Sequence, residues 1–259
     1  MAKIQCNVIS YVLRRTIDLT VVVPTPVFSD SINRNENSAK HTPKAPYPVL
    51  YLLHGYGNND KQWTGYTNVE MYAEEHQIVV VNMAAENKSY IAQENGDDFF
   101  KFMSEELPEF IQGMFPVSRR PEDTYIAGLS MGGYGTLLHA LSAPDKFCAF
   151  GALSAATEPV AMGENKTYPD ELYPAKLAAK IAAEGGKFPK VYMATGTKDF
   201  LFDKDKEMAA YLKSLGADVT WDEIEGYGHE WRFWDIEIEK FLKWIPRTDA
   251  YAAAGPRKI

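Results

Sequence analysis

Three residues in this chain are best placed to do chemistry: Ser130, between two glycines in Gly128-Leu129-Ser130-Met131-Gly132, then Asp199, then His229. A serine hydroxyl is a weak nucleophile until a neutral imidazole takes its proton. A carboxylate behind the imidazole holds the right tautomer and stabilises the imidazolium that forms. Glycines two residues either side of a serine suit a turn so tight that side chains there would collide. The order Ser130, Asp199, His229 is the one required when such a turn carries the nucleophile from strand to helix. The five-residue spacing alone is weak, since it arises by chance about once in ten chains of this length. The surrounding elements must therefore carry the argument.

Before Ser130 runs a short apolar stretch (Thr124 to Ala127), and after it a helix-compatible one (Thr136 to Leu141). Strand, sharp turn and helix follow in sequence, and the helix start points free N–H groups at the place where negative charge would develop. Gly133 and Gly135 would let that helix lie close to the sheet. In open α/β sheets, ligands gather beyond the carboxyl ends of the strands. The strand Val191 to Thr195 leads to Asp199, and Val219 to Ile224 leads to a glycine-flanked loop holding His229. Asp203 and Asp205 compete with Asp199 but fall in or near the next helix. Glu230, beside His229, is expected to cap the last helix. The apolar run Val49 to Leu53 ends in His54-Gly55-Tyr56-Gly57, whose Tyr56 amide, with that of Met131, would form an oxyanion hole. His54 is expected to bond loop backbone rather than act directly. His76 and His139 read as structural or solvent-facing, and His41 as solvated.

The remaining elements complete an alternation of strands and helices. Residues 3–11 and 15–23 read as an antiparallel hairpin, and 29–46 as a flexible polar loop. A helix at about 65–76 precedes the strand Ile78 to Val81. Helical spacing over 98–115 contains Pro108, which should bend or restart it. A strand spans 149–154, and residues 157–187, with a helix near 175–184, read as a small cap-like insertion. Helices follow at about 204–215 and 230–244, and the tail 247–259 is expected to fray. The alternation predicts an α/β fold: one domain over 1–259 with a mostly parallel central sheet and helices on both faces.

Composition narrows the classes of function. The 259 residues are 46% hydrophobic and 24% charged, with a net charge of −8, which argues against nucleic acid or an anionic membrane as partner. Cys6 and Cys148 lie far apart in apolar surroundings and read as two buried thiols. The N-terminus lacks the pattern of a secretory leader and no apolar run approaches 18 residues, so a cytoplasmic protein is expected. With no metal-ligand cluster, phosphate loop or dinucleotide fingerprint, neither metal nor cofactor is expected. The expected partner is a small molecule.

The chain resembles the esterase D / tributyrin esterase group of α/β-hydrolases, which includes S-formylglutathione hydrolases and the feruloyl and acetyl-xylan esterases of carbohydrate esterase family 1. The resemblance rests on Leu52-Leu53-His54-Gly55-Tyr56-Gly57, Ser104-Glu105-Glu106-Leu107-Pro108, Ala127 to Gly135, Gly196-Thr197-Lys198-Asp199-Phe200-Leu201 and His229-Glu230-Trp231. It implies an α/β-hydrolase fold and a short-chain carboxylic ester hydrolase with Ser130, Asp199 and His229 as triad. It also implies an oxyanion hole from the Tyr56 and Met131 amides, and copies that can associate into a homo-oligomer. The insertion at 157–187 would shape the acyl pocket, with Trp63, Tyr90, Tyr134 and Trp231 as candidates to line it. Acetyl or butyryl esters are the favoured substrates. Feruloyl or cinnamoyl esters, acetyl sugars, thioesters and acyl transfer remain open. A non-catalytic binding module is disfavoured because no triad member is missing. With His229 as base, activity should fall below about pH 6–7.

Overall fold

The computed structural model describes residues 1–32, 40–159 and 168–259. The parts of the expected loop and insertion that fall on 33–39 and 160–167 lie outside the described residues. Strands β1 (Ala2–Ser10) and β2 (Arg15–Val23) form the expected hairpin. Then follow β3 (Val49–Leu53), β4 (Val79–Met83), β5 (Thr124–Leu129), β6 (Ala149–Leu153), β7 (Lys190–Gly196) and β8 (Val219–Ile224). They make one eight-stranded sheet in the order β1-β2-β4-β3-β5-β6-β7-β8, antiparallel at the β1–β2 and β2–β4 pairs and parallel from β4 to β8.

The central strands read as unbroken apolar runs because both faces are covered. Along β3, Val49, Tyr51 and Leu53 enter one core while Leu50 and Leu52 enter the other. Among the described residues the helices are α1 (Phe28–Ile32), α2 (Gln62–Tyr66), α3 (Val69–His76), α4 (Phe99–Lys101), α5 (Leu107–Met114), α6 (Met131–Ser142), α7 (Pro174–Ala183), α8 (Phe202–Ser214) and α9 (Trp231–Trp244). The first core takes α4 to α8 and the second takes α2, α3 and α9. No helix of the described residues is long and apolar enough to cross a membrane.

Four local expectations are corrected and one is met. The helix placed at 65–76 is two helices, because Thr67 is extended and the Asn68 amide and side chain both donate to Asp235, at 2.8 and 2.9 Å. The polar loop begins with a helical turn, α1. At Pro108 the helix restarts as expected: a π turn, Phe102–Glu106, joins α4 to α5, and Pro108 lies in the first turn of α5. Proline offers no N–H to the Ser104 carbonyl, and Lys146 Nζ donates there instead at 3.2 Å. The two cysteines are free but only half-buried. The tail is packed rather than frayed, since Tyr251 is buried, stacks on Tyr47 at 4.7 Å and donates its hydroxyl to the Ala45 carbonyl at 2.6 Å. Beyond it, Arg257 forms an ion pair with the buried Glu74.

Candidate active site

Ser130 follows β5 directly and precedes α6. Its backbone has φ 54° and ψ −116°, a left-handed conformation that costs a non-glycine residue about 1–3 kcal/mol. The flanking glycines permit it. A Cβ on Gly128 would lie 2.8 Å from the Leu53 Cβ, and one on Gly132 would lie 2.6 Å from the His54 carbonyl oxygen. Gly133 and Gly135 face Ala155 and the Tyr90 ring at similar clearance, so α6 packs as closely as its glycines allow. The Ser130 N–H donates to the Leu153 carbonyl at 3.0 Å, and its own carbonyl accepts from Tyr134 and Ala156 at 3.0 and 3.1 Å.

The acid and the histidine arrive on neighbouring loops. Asp199, past the end of β7, accepts His229 Nδ1–H at 2.8 Å. The Asp199 side chain is wholly buried, whereas the His229 side chain keeps 22% of its exposure. Burial would raise the Asp199 carboxyl, but hydrogen bonds from His229, the Leu201 amide and Ser154 outweigh it and hold that carboxyl below its ordinary value. Gly196 lets the two loops close on each other: a Cβ there would stand 2.8 Å from the Tyr227 Cβ, and Lys198 N–H donates to the Tyr227 carbonyl at 2.9 Å. Asp205, the competing acid, is buried elsewhere and accepts from the Ala155 amide at 2.9 Å and from the Thr195 hydroxyl. Glu230 stands at the N-cap position of α9, but its carboxylate accepts from the Gly228 amide at 3.2 Å instead of capping the helix.

The second loop of the site is braced by His54. Its Nδ1–H donates to the Gly55 carbonyl at 2.8 Å and its Nε2 accepts the Ala85 amide at 2.9 Å. Burial lowers its pKa, which keeps the ring neutral and able to do both. Gly55 then lies against the Ser130 turn, its Cβ position 2.5 Å from Leu129 Cδ1 and 3.4 Å from the Ser130 Cβ. Tyr56 follows on the exposed turn, and Met131 opens α6 with its amide free of the intrahelical ladder.

The pocket candidates divide. Trp63, Tyr90 and Tyr134 have no exposed surface, and each polar tip donates to a backbone carbonyl: Leu53 at 3.0 Å, His54 at 2.9 Å and Leu172 at 2.7 Å. They brace the loops around the site instead of lining a cleft. Trp231 is half-buried in a ring cluster with Trp63, Tyr66 and Trp234. His76 and His139 are both buried, not solvent-facing. Three residues escaped the sequence reading: Ser154, Trp234, whose ring meets that of His229 edge-on at 4.9 Å, and Phe200, largely exposed with its ring 4.7 Å from the same imidazole. Ser154 alone had a signal, as the residue just past the carboxyl end of β6.

The family model "Putative esterase" matches residues 29–245. The chain belongs to the Esterase family. Within reach of that family, an acetyl esterase of Caldicellulosiruptor saccharolyticus is 28% identical, over 96% of this chain and 99% of its own. Among solved structures, the Staphylococcus aureus fluorophosphonate-binding serine hydrolase F is 27% identical with a TM-score of 0.83, over 95% of this chain and 99% of that one. An S-formylglutathione hydrolase from the same organism is also 27% identical, with a TM-score of 0.80 and coverage of 94% and 98%. As an Esterase family member with serine hydrolases for structural neighbours, the chain has the α/β-hydrolase fold and is a hydrolase.

Proposed function

We propose that this hydrolase is a serine carboxylesterase acting on short-chain acyl esters through an acyl-enzyme. The observation that carries the reading is the His229–Asp199 hydrogen bond at 2.8 Å, formed beyond the same sheet edge that presents Ser130 on a strained turn. Ser130 Oγ attacks the ester carbonyl as its proton passes to His229 Nε2. Asp199 keeps Nδ1 protonated and offsets the charge of the imidazolium. The amides of Tyr56 and Met131 receive the developing oxyanion, each worth about 3 kcal/mol in the transition state. Collapse expels the alcohol, which takes the proton from His229. Water, deprotonated by the same imidazole, then releases the carboxylic acid and restores Ser130.

The acetyl esterase relative, alike over nearly the whole of both chains, supports a small acyl group. Exposed Phe200 beside His229 favours a second reading, an aryl ester such as a feruloyl ester. Release of p-nitrophenol from acetate and butyrate esters, together with fluorophosphonate labelling, tests the chemistry. Turnover and labelling should both disappear in Ser130→Ala, and a wild-type chain that shows neither would overturn the proposal. Comparing kcat/KM for acetyl, butyryl, feruloyl and thioester substrates then separates the readings, since only the pocket distinguishes them.

A further inference from the structure

We propose that the cavity at the carboxyl end of α6 is a second binding site, remote from the triad, for a small aryl carboxylate, and that its occupancy is felt at the loop carrying Tyr56. The cavity, about 460 Å³, lies between the π turn Phe102–Glu106, α5 and the end of α6. That volume falls in the range of about 300–1,000 Å³ in which small organic ligands are held. Ser130 stands at the opposite end of α6, which at 12 residues is about 18 Å long, so the two sites are separate. A π turn is an uncommon insertion in a helix and recurs at functional sites. Here it supplies Met103 and Ser104 to the cavity wall. Tyr51, at the floor, is 2% exposed, and its hydroxyl has no hydrogen-bond partner among the described residues. A buried hydroxyl left so costs about 1–3 kcal/mol, which a polar atom of a ligand would offset.

The chemistry of the lining selects the ligand. Phe100, Met103 and Phe147 give apolar walls suited to a flat ring. Two cations stand at the rim. Arg119 is exposed and makes no ion pair among the described residues, and Lys146 spends one of its three donors on the Ser104 carbonyl at 3.2 Å. Glu105, the acid of the lining, lies 3.9 Å from Lys101. The carbonyl end of α6 adds only about half a negative charge, so the two cations outweigh it. A carboxylate at the rim, an aromatic body and a polar atom at the far end answer all three features. An acid as small as acetate would leave most of the volume empty.

The cavity also reaches the candidate active site through a line of hydrogen bonds. His139, in its wall, stacks on Phe100 at 4.6 Å, and its Nε2 lies 3.1 Å from the Tyr90 carbonyl. The Tyr90 hydroxyl donates to the His54 carbonyl at 2.9 Å, at the start of the turn that carries Tyr56. An occupant pressing on His139 shifts this line and with it an oxyanion donor, where small displacements are costly. The effect on turnover rests on the triad and oxyanion hole proposed above; binding does not.

3-(4-Hydroxyphenyl)propionate, titrated calorimetrically into the full chain, should bind at one site, and equally well after Ser130 has been labelled with a fluorophosphonate. Arg119→Glu and Tyr51→Phe should each weaken binding by about fivefold or more. 3-Phenylpropionate, which lacks the phenol, should bind wild type and Tyr51→Phe alike. Because the deleted hydroxyl has no partner, Tyr51→Phe should melt no lower than wild type. Saturating acid should lower kcat for p-nitrophenyl acetate by about twofold or more with KM unchanged, and Tyr90→Phe should keep the binding but lose that effect. No heat at millimolar acid, binding unmoved by both Arg119→Glu and Tyr51→Phe, or inhibition that raises KM alone would overturn the site. Binding that leaves kcat unchanged would overturn the link to the loop. A chain that binds the acid yet turns over no ester would instead remove the triad and leave the site standing.

Discussion

Asp199 Oδ2 lies 2.8 Å from His229 Nδ1, joining the loops that leave two neighbouring parallel strands, β7 and β8. The bond sets the tautomer: with Nδ1 protonated, Nε2 is the basic nitrogen. Asp199→Asn presents an amide that can hold the opposite tautomer, and kcat should fall by roughly a thousandfold or more with little change in KM. Ester turnover at neutral pH checks this, and a loss under tenfold would contradict the role assigned to Asp199.

Two glycine-to-alanine substitutions should move stability in opposite directions. On Gly132 the added methyl would press on the Leu53 and His54 backbone carbonyls, which have nowhere to go. Gly132→Ala should cost at least about 3 kcal/mol or prevent folding. Gly113, inside α5, has nothing within 4 Å of the same position, so Gly113→Ala should add about 0.5–1 kcal/mol. Urea unfolding of the two variants beside wild type measures both.

Buried histidines make the fold sensitive to acid. Burial pushes the His139 pKa down to about 4, and burial together with Arg247 and Lys243 does the same to His76. The folded state therefore resists a proton that the unfolded chain accepts near pH 6.5. Their contribution to stability is complete above that value and shrinks as pH falls from about 6.5 toward about 4, by up to about 1.4 kcal/mol per pH unit for each histidine. Unfolding midpoints in urea at pH 7.5, 6 and 5 should decline in that order. A constant midpoint would contradict the burial argument.

The C-terminal segment should matter to stability despite its distance from any strand in sequence. Tyr251 fills a gap against Tyr47 and closes a hydrogen bond to Ala45, so Tyr251→Ala should cost about 3 kcal/mol, visible as a melting temperature lower by several degrees. A shift under one degree would return the tail to the frayed state its composition suggests.

Much of the fold was legible because it is written locally. Short unbroken apolar runs such as Val49–Leu53 suit strands covered on both sides, and glycine spacing around Ser130 marks a turn in which side chains would collide. The restart at Pro108 was legible because proline offers no N–H to the preceding turn, whereas the partner that the freed Ser104 carbonyl finds, Lys146, lies 38 residues beyond Pro108. Trp63, Tyr90 and Tyr134 read in the sequence as cleft residues and are buried in the structure. An aromatic body with a polar tip suits a core or a pocket equally, and only the partner of the tip distinguishes them.

By itself, then, the amino-acid sequence determined the order of the candidate groups, the strand ends that carry them and the glycine-flanked turn at Ser130, since each depends on neighbours a few residues apart. Tertiary structure alone decided that Trp234 stands edge-on to His229 and donates to Ser154, that the tail is pinned and that three of the four pocket candidates are buried. Those outcomes depend on hydrogen bonds and packing between residues tens to hundreds of positions apart, whose free energy exists only once the whole sheet has closed around them.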